Sequence, residues 1–257
     1  MPSLVVIPSK GRPQCGTAAL CESNGLPFVI LCGDDDETLP EYRERWGERV
    51  EVFDRAEWCR RERALDTFDK HGVTPARNYI LHRWPRCWML DDDIQCIKVS
   101  RGKRNVKVYG EELAKTLEAV ERFGVVSGAC CVGLMLTATM FPRTYQLRKA
   151  GYQCMFFTGN GTPEFRGLVA EDEGACLTSW MRGTPWLGLM FVGFDSTATK
   201  KEEGGLTDIY RSEEGTDVRR TAYLLMQAPG AVVLKNGRWQ SRYGLLAPKI
   251  VDSRWQR

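Results

Sequence analysis

Histidine is almost missing from this chain. His71 and His82 are the only two in 257 residues, and neither has a neighbour that would complete a nucleophilic triad. No G-x-S-x-G run occurs either, which argues against a histidine-activated nucleophile. The ten cysteines include no C-x-x-C pair. Cys32, Cys87, Cys130, Cys131 and Cys154 lie among apolar neighbours, the pattern of reduced core residues in a cytosolic protein. No run approaches the roughly 20 apolar residues of a membrane span. The start "MPSLVVIPSKGRP" lacks the charged head and long apolar stretch of a signal peptide. The expectation is therefore a cytoplasmic protein without membrane contact. Strong charge of one sign is also missing: 36 basic residues face 33 acidic ones, so any contact with a polyanion must be local.

What is present is ordinary globular composition, 43% hydrophobic and 27% charged, at a length that suits one large α/β domain or two small ones. Apolar runs rich in branched or aromatic residues recur as "LVVIP", "FVILCG", "VEVFD" and "CWMLD". Helix-length segments separate them: Gln14 to Asn24, Leu39 to Trp46 and Thr74 to Trp84. Strands alternating with helical crossovers predict a mostly parallel sheet covered on both faces, with ligands bound beyond the carboxyl ends of its strands. Further along, "CIKV" reads as a strand, "RGKRN" as a basic turn and "GEELAKTLEAVERF" as an amphipathic helix. "VVSGACCVGLMLTA" and "YQCMFFTG" read as strands, and "EDEGACLTSWMRG" as a helix with an acidic start, closed by Gly183. The polar stretch from Asp195 to Gly215 reads as a mobile loop.

The chemistry concentrates where strands end. Asp91, Asp92 and Asp93 follow the fourth strand, and three adjacent carboxylates need a cation, hydrogen-bond donors or water to offset their repulsion. Alternate members can face one divalent ion while the middle one accepts hydrogen bonds from a sugar hydroxyl; a solvated acidic turn is the alternative. Asp34 to Asp36 follow the second strand in a more turn-like setting, where helix capping competes with a role at a nucleobase or ribose. The first strand ends in "PSKGRP", whose Lys10 and Arg12 suit a diphosphate at the same edge. Arg77 and Asn78 sit one turn into a helix begun near Pro75, where the arginine can bridge phosphate or the metal-bound carboxylates. Glu171, Asp172 and Glu173 open a helix, so either the helix dipole or a general base accounts for them.

In order, "VVIPSKGRP", "PARNYIL", "WMLDDDI" and "AEDEGACL" resemble the glycosyltransferases of GT-A fold, and more closely the TET-associated glycosyltransferases of phages. The resemblance implies a single Rossmann-like, GT-A-like α/β domain over residues 1–257, with a nucleotide-sugar half at about 1–97 and an acceptor half at about 98–257. It implies donor contacts from Pro8, Ser9, Lys10, Arg12, Asp36, Arg77, Asn78, Asp91 and Asp92, and a manganese or magnesium ion on Asp91 and Asp93. It puts Asp172 in the position of the catalytic base and Glu171 on the acceptor side. The implied donor is a UDP-sugar, and the implied acceptor is DNA carrying a hydroxymethylated pyrimidine. One departure stands out. No histidine follows His82, so the late metal-binding histidine of some GT-A enzymes would have to be replaced by Asp195, Asp252 or water.

For the DNA, "KVSRGKRNVK" with Lys103 and Arg104, then Lys200, Lys201, Arg219, Arg220, Arg238 and Arg242, are the candidate phosphate contacts; exposed basic residues are more commonly plain surface. Trp180, Trp186 and Trp239 read as core rather than base-stacking platforms. Three other readings remain open at this point: a glycosyltransferase for a polysaccharide or protein, a sugar-phosphate nucleotidyltransferase, which would normally have a Gly-rich first loop, and a non-catalytic nucleotide- or DNA-binding module.

Overall fold

The computed structural model describes residues 1–61, 72–140, 145–146, 152–197, 217–236 and 238–241. Its first half is the expected alternation. Strands β1 (Val5–Pro8), β2 (Phe28–Gly33), β3 (Val50–Phe53) and β4 (Arg86–Leu90) run parallel in the order β3-β2-β1-β4. Between them lie helices α1 (Gly16–Ser23), α2 (Leu39–Trp46), α3 (Arg55–Arg61) and α4 (Thr74–Arg83). Alternation within single strands explains why these segments are apolar throughout. Val5 and Ile7 face one layer while Val6 faces the other; Trp88 and Leu90 part from Cys87 and Met89 in the same way.

The second half completes one mixed sheet of ten strands. After β4 the order continues through β9 (Cys154–Thr158), β7 (Cys131–Leu136), β10 (Trp186–Ser196), β5 (Ile94–Arg101) and β6 (Arg104–Lys107), and β8 (Tyr145–Gln146) pairs with β10. Strands β9 and β5 run against their neighbours, and β7 and β10 run parallel to each other. A small hairpin, β11 (Val232–Lys235) with β12 (Arg238–Ser241), follows helix α7 (Asp217–Gln227). The fold is Rossmann-like and of GT-A type, in one domain.

Helix α5 (Gly110–Ser127) packs one face with Leu113, Leu117 and Val120, spaced by about one turn, against the layer that α1 and α2 also cover. It also corrects the expected strand beginning at Val125. The helix runs on to Ser127, leaves Val126 in solvent, and stops at Gly128 in the left-handed region at φ 69°. Helix α6 (Glu171–Met181) and α4 cover the opposite face with α7. Asp195 and Ser196, expected in a mobile loop, end β10 instead; residues 198–215 lie outside the described ones.

All ten cysteines are free thiols and nine are buried, as their apolar neighbours suggested. Burial pushes the Cys21 and Cys87 thiols up to about 12, which keeps them protonated and unreactive. Trp186 is fully buried and Trp180 packs against both core layers; the side chain of Trp239 is outside the described residues. Among the described residues no helix is long and apolar enough to cross a membrane.

Gly124 sets how closely α5 approaches the sheet. A Cβ there would lie 2.9 Å from Val132 Cγ2 and 3.0 Å from Thr158 Cγ2, both on short, stiff side chains. Gly124→Val is expected to lower unfolding free energy by about 1–3 kcal/mol, read as a reduced urea midpoint; an unchanged midpoint would show that the helix has room to shift.

Candidate active site

The carboxyl ends of β1, β2 and β4 lie side by side, and the polar loops that follow them fasten one another. The main fastening is a closed ring of hydrogen bonds. The Arg12 N–H donates to the Tyr42 hydroxyl at 2.9 Å, Tyr42 and Ser9 hydroxyls lie 2.6 Å apart, and the Ser9 hydroxyl donates to Asp92 Oδ2 at 2.7 Å. The Arg12 guanidinium closes the ring on Asp92 Oδ1 at 2.8 Å. This donor order leaves each hydroxyl giving one hydrogen bond and accepting one. Asp92, the middle aspartate, which the sequence reading gave to a sugar hydroxyl, is thus bonded through both oxygens to the first loop.

The second triplet performs the same task. Gly11, at φ 70°, presents its N–H to Asp36 Oδ2 at 3.0 Å, while Asp36 Oδ1 accepts from the Thr38 N–H and hydroxyl at 2.9 and 2.8 Å. Asp36 is buried by these contacts. Asp35 takes Lys10 Nζ at 2.6 Å and Arg55 Nε at 3.5 Å, and Asp34 accepts the Arg55 N–H at 3.0 Å. Asp36 thus braces the turn that leads into α2, and Asp35 and Asp34 pair with Lys10 and Arg55.

The backbone of the first triplet is pinned as well. Thr17, fully buried in the first turn of α1, donates its hydroxyl to Asp91 O at 2.5 Å, accepts the Ile94 N–H at 2.8 Å, and donates its own N–H to Asp92 O at 3.2 Å. The Thr197 N–H reaches Asp93 O at 3.2 Å. With the main chain fixed, the side chains diverge: Asp92 turns to Arg12, and Asp91 to Arg77.

Arg77 joins this cluster to the acidic start of α6. Its Nη2 lies 3.3 Å from Asp91 Oδ1 and its Nη1 3.1 Å from Glu171 Oε1, with the guanidinium 5.2 Å from the centroid of the Phe165 ring. Asn78 grips the same segment, donating to Phe165 O at 2.8 Å and accepting the Phe165 N–H at 2.9 Å. The sequence reading gave Asn78 to the donor; here both ends of its amide hold Phe165. The chain enters α6 through Ala170 in the left-handed region, φ 57°, at a cost on the order of 1 kcal/mol for a residue with a Cβ. The clamps from α4 offset that cost.

Electrostatics follow from this packing. Burial pushes the Asp91 carboxyl up to about 7; Arg77 opposes that rise, and the charges of Asp93 and Asp92 add to it. Burial likewise raises Glu171, helped by the Asp172 charge and opposed by Arg77. Asp172 itself is half-buried, and its Oδ1 accepts the Glu173 N–H at 2.7 Å. Among the described residues no three His, Cys, Asp or Glu side chains gather as a metal centre. Magnesium and manganese are usually held by only one or two carboxylates, with water and phosphate oxygens completing the shell.

Other expected residues fall elsewhere. Asp195, a suggested replacement for the missing histidine, is engaged by Lys98 Nζ at 2.6 Å, and Asp252 is outside the described residues. Strand β5 carries the chain away from Asp93 for eight residues, about 26 Å at the usual strand rise, so Lys103 and Arg104 lie at the far end of the sheet. Arg219 is exposed on α7, and the nearby charge of Arg220 acts on Glu171. Lys200, Lys201, Arg242 and the side chain of Arg238 are outside the described residues. Thr17, Tyr42, Arg55 and Phe165 were not singled out from the sequence. Their roles come from contacts with residues distant in the chain, and no local pattern marks them.

A Rossmann-like sheet with basic and acidic loops at one edge is the architecture of nucleotide-using enzymes of GT-A type. A model of the TET-Associated Glycosyltransferase family matches residues 3–205, and the chain belongs to that family. It is a glycosyltransferase, and such an enzyme takes a nucleotide-sugar donor and an acceptor. A search of curated proteins found no match to the chain.

Asp92→Ala removes the charge that closes the first-loop ring and leaves Arg12 and Ser9 without it; stability is expected to fall by about 2–4 kcal/mol in urea titration, and a loss below half that would mean water replaces the carboxylate. Glu171 gives a pH test. Its folded carboxyl is raised above the unfolded value of 4.5 to about 7, so the folded state holds the extra proton between them and stability falls as pH rises through that window. Glu171→Gln should therefore gain on the native protein over that range in chemical denaturation at a series of pH values; a gap that moves the other way would contradict the assignment.

Proposed function

We propose that this enzyme moves a sugar from a UDP-sugar to the hydroxymethyl group of a 5-hydroxymethylpyrimidine in DNA. The observation that carries the reading is the single guanidinium of Arg77 between Asp91 and Glu171, which puts the aspartate turn and the acidic start of α6 at one edge of the sheet. The first loop, with Lys10 and Arg12, supplies positive charge beside that edge, where the diphosphate lies. Asp91 and Asp93 hold a manganese or magnesium ion, which when bound neutralises charge on the leaving diphosphate. Phosphates of the DNA meet basic side chains, with Lys103 and Arg104 remote from the reacting base and Arg242 a further contact.

Asp172 is the general base. It is half-buried rather than buried, and Glu171 rather than Asp172 is tied to Arg77. Asp172 takes the proton of the hydroxymethyl oxygen as that oxygen bonds to the anomeric carbon; the bond from that carbon to the diphosphate oxygen breaks, and the nucleoside diphosphate leaves with the electron pair. A single displacement of this kind inverts the anomeric centre. Glu171 lines the acceptor side.

Asp172→Asn should keep UDP affinity in the presence of manganese within about twofold by calorimetry and lose at least about 100-fold in transfer, the usual contribution of a general base. Asp93→Ala should instead lose the manganese dependence of UDP binding. Native transfer in the first variant, or native manganese dependence in the second, would remove that residue from its role.

A further inference from the structure

We propose that Arg77 is a positioning residue that couples the charge at Asp91 to the setting of the Glu171–Asp172 pair, so that filling the donor side readies the acceptor side. Its guanidinium is nearly buried, at 4% exposure, and is shared between two carboxylates at 3.3 and 3.1 Å. Both distances are longer than the 2.7–2.9 Å typical of an undivided charge-assisted bond. Glu171 Oε2 is buried with no hydrogen-bond partner among the described residues, while Oε1 takes the Arg77 guanidinium; a backbone N–H and the charge of Arg220 also favour the ionised carboxylate.

The geometry makes the coupling directional. Asp91 belongs to a turn whose backbone is pinned by Thr17, and Arg77 belongs to a helix whose next residue, Asn78, is locked to the Phe165 backbone. The element left to respond is the start of α6, entered through the left-handed Ala170. When the negative charge of Asp91 is offset, its claim on the guanidinium weakens and the bond to Glu171 strengthens. The first turn of α6, which carries Asp172, is then held more firmly. The functional sense of this coupling rests on the proposed reading that Asp91 faces the donor; the coupling itself does not.

Hydrogen exchange tests it without substrate, metal or turnover. Asp91→Asn removes the competing charge, and amides of residues 171–176 should then exchange more slowly by about threefold or more, within the coupling range of groups in one charge network. In an Arg77→Gln background the same substitution should change their exchange by less than half as much. Should Arg77→Gln fail to fold, Glu171→Gln removes the other end of the bridge and should abolish the response in the same way. No change on Asp91→Asn in the native background would overturn the proposal. An equal slowing with and without Arg77 would also overturn it, by assigning the effect to direct repulsion between Asp91 and Glu171. Absence of sugar transfer to DNA would count against the proposed function and leave this result standing.

Discussion

Three adjacent aspartates at the end of a buried strand repel one another, and the site is arranged around that repulsion. Water alone does not relieve it, because Asp92 is buried and Asp91 is three-quarters so. Relief comes from two arginines brought from different elements, Arg12 of the first-strand loop to Asp92 and Arg77 of helix α4 to Asp91. Each arginine in turn fixes the element that carries it. Arg12 thereby ties the first-strand loop to the end of β4, and Arg77 ties the aspartate turn to the start of α6, a helix that also packs on the sheet through Ala175, Cys176 and Leu177.

The same requirement divides the labour within each triplet. Asp92 and Asp36 each close a loop inside the protein and are held there by several donors. Asp91 pairs with Arg77, which it shares with Glu171, and burial raises its carboxyl into the neutral range. Asymmetry of this sort between neighbouring carboxylates marks which can respond to an added cation and which serve as scaffold. Glu171 and Asp172 repeat the division at α6, one buried against Arg77 and the other half-buried.

Much of this was legible in the sequence, for definite reasons. Strands covered on both faces must be apolar at successive positions, so β1, β2 and β4 stood out, and polar residues just beyond them had to emerge at the carboxyl edge. Partner choice was not legible. Asp92 meets Arg12 across 80 residues of sequence and Glu171 meets Arg77 across 94, and no local pattern reports such pairings. Boundaries failed where a local preference misled: Val125 and Val126 favour strands, yet Gly124 lets the helix continue close against Val132 and Thr158. The long strand β10 was missed; its residues Gly188 and Gly193 interrupt an apolar run that otherwise reads as strand, and Gly193 sits where its Cβ would meet Met135 O at 2.5 Å.

The most direct measurement is mass analysis of nucleosides released from DNA containing 5-hydroxymethylcytosine or 5-hydroxymethyluracil, after incubation with the enzyme, manganese and a panel of UDP-sugars. A sugar-sized mass gain on the hydroxymethylated nucleoside, absent with Asp172→Asn, is the predicted result. No gain on either DNA, with metal-dependent consumption of a UDP-sugar still present, would contradict the assignment of DNA as the acceptor.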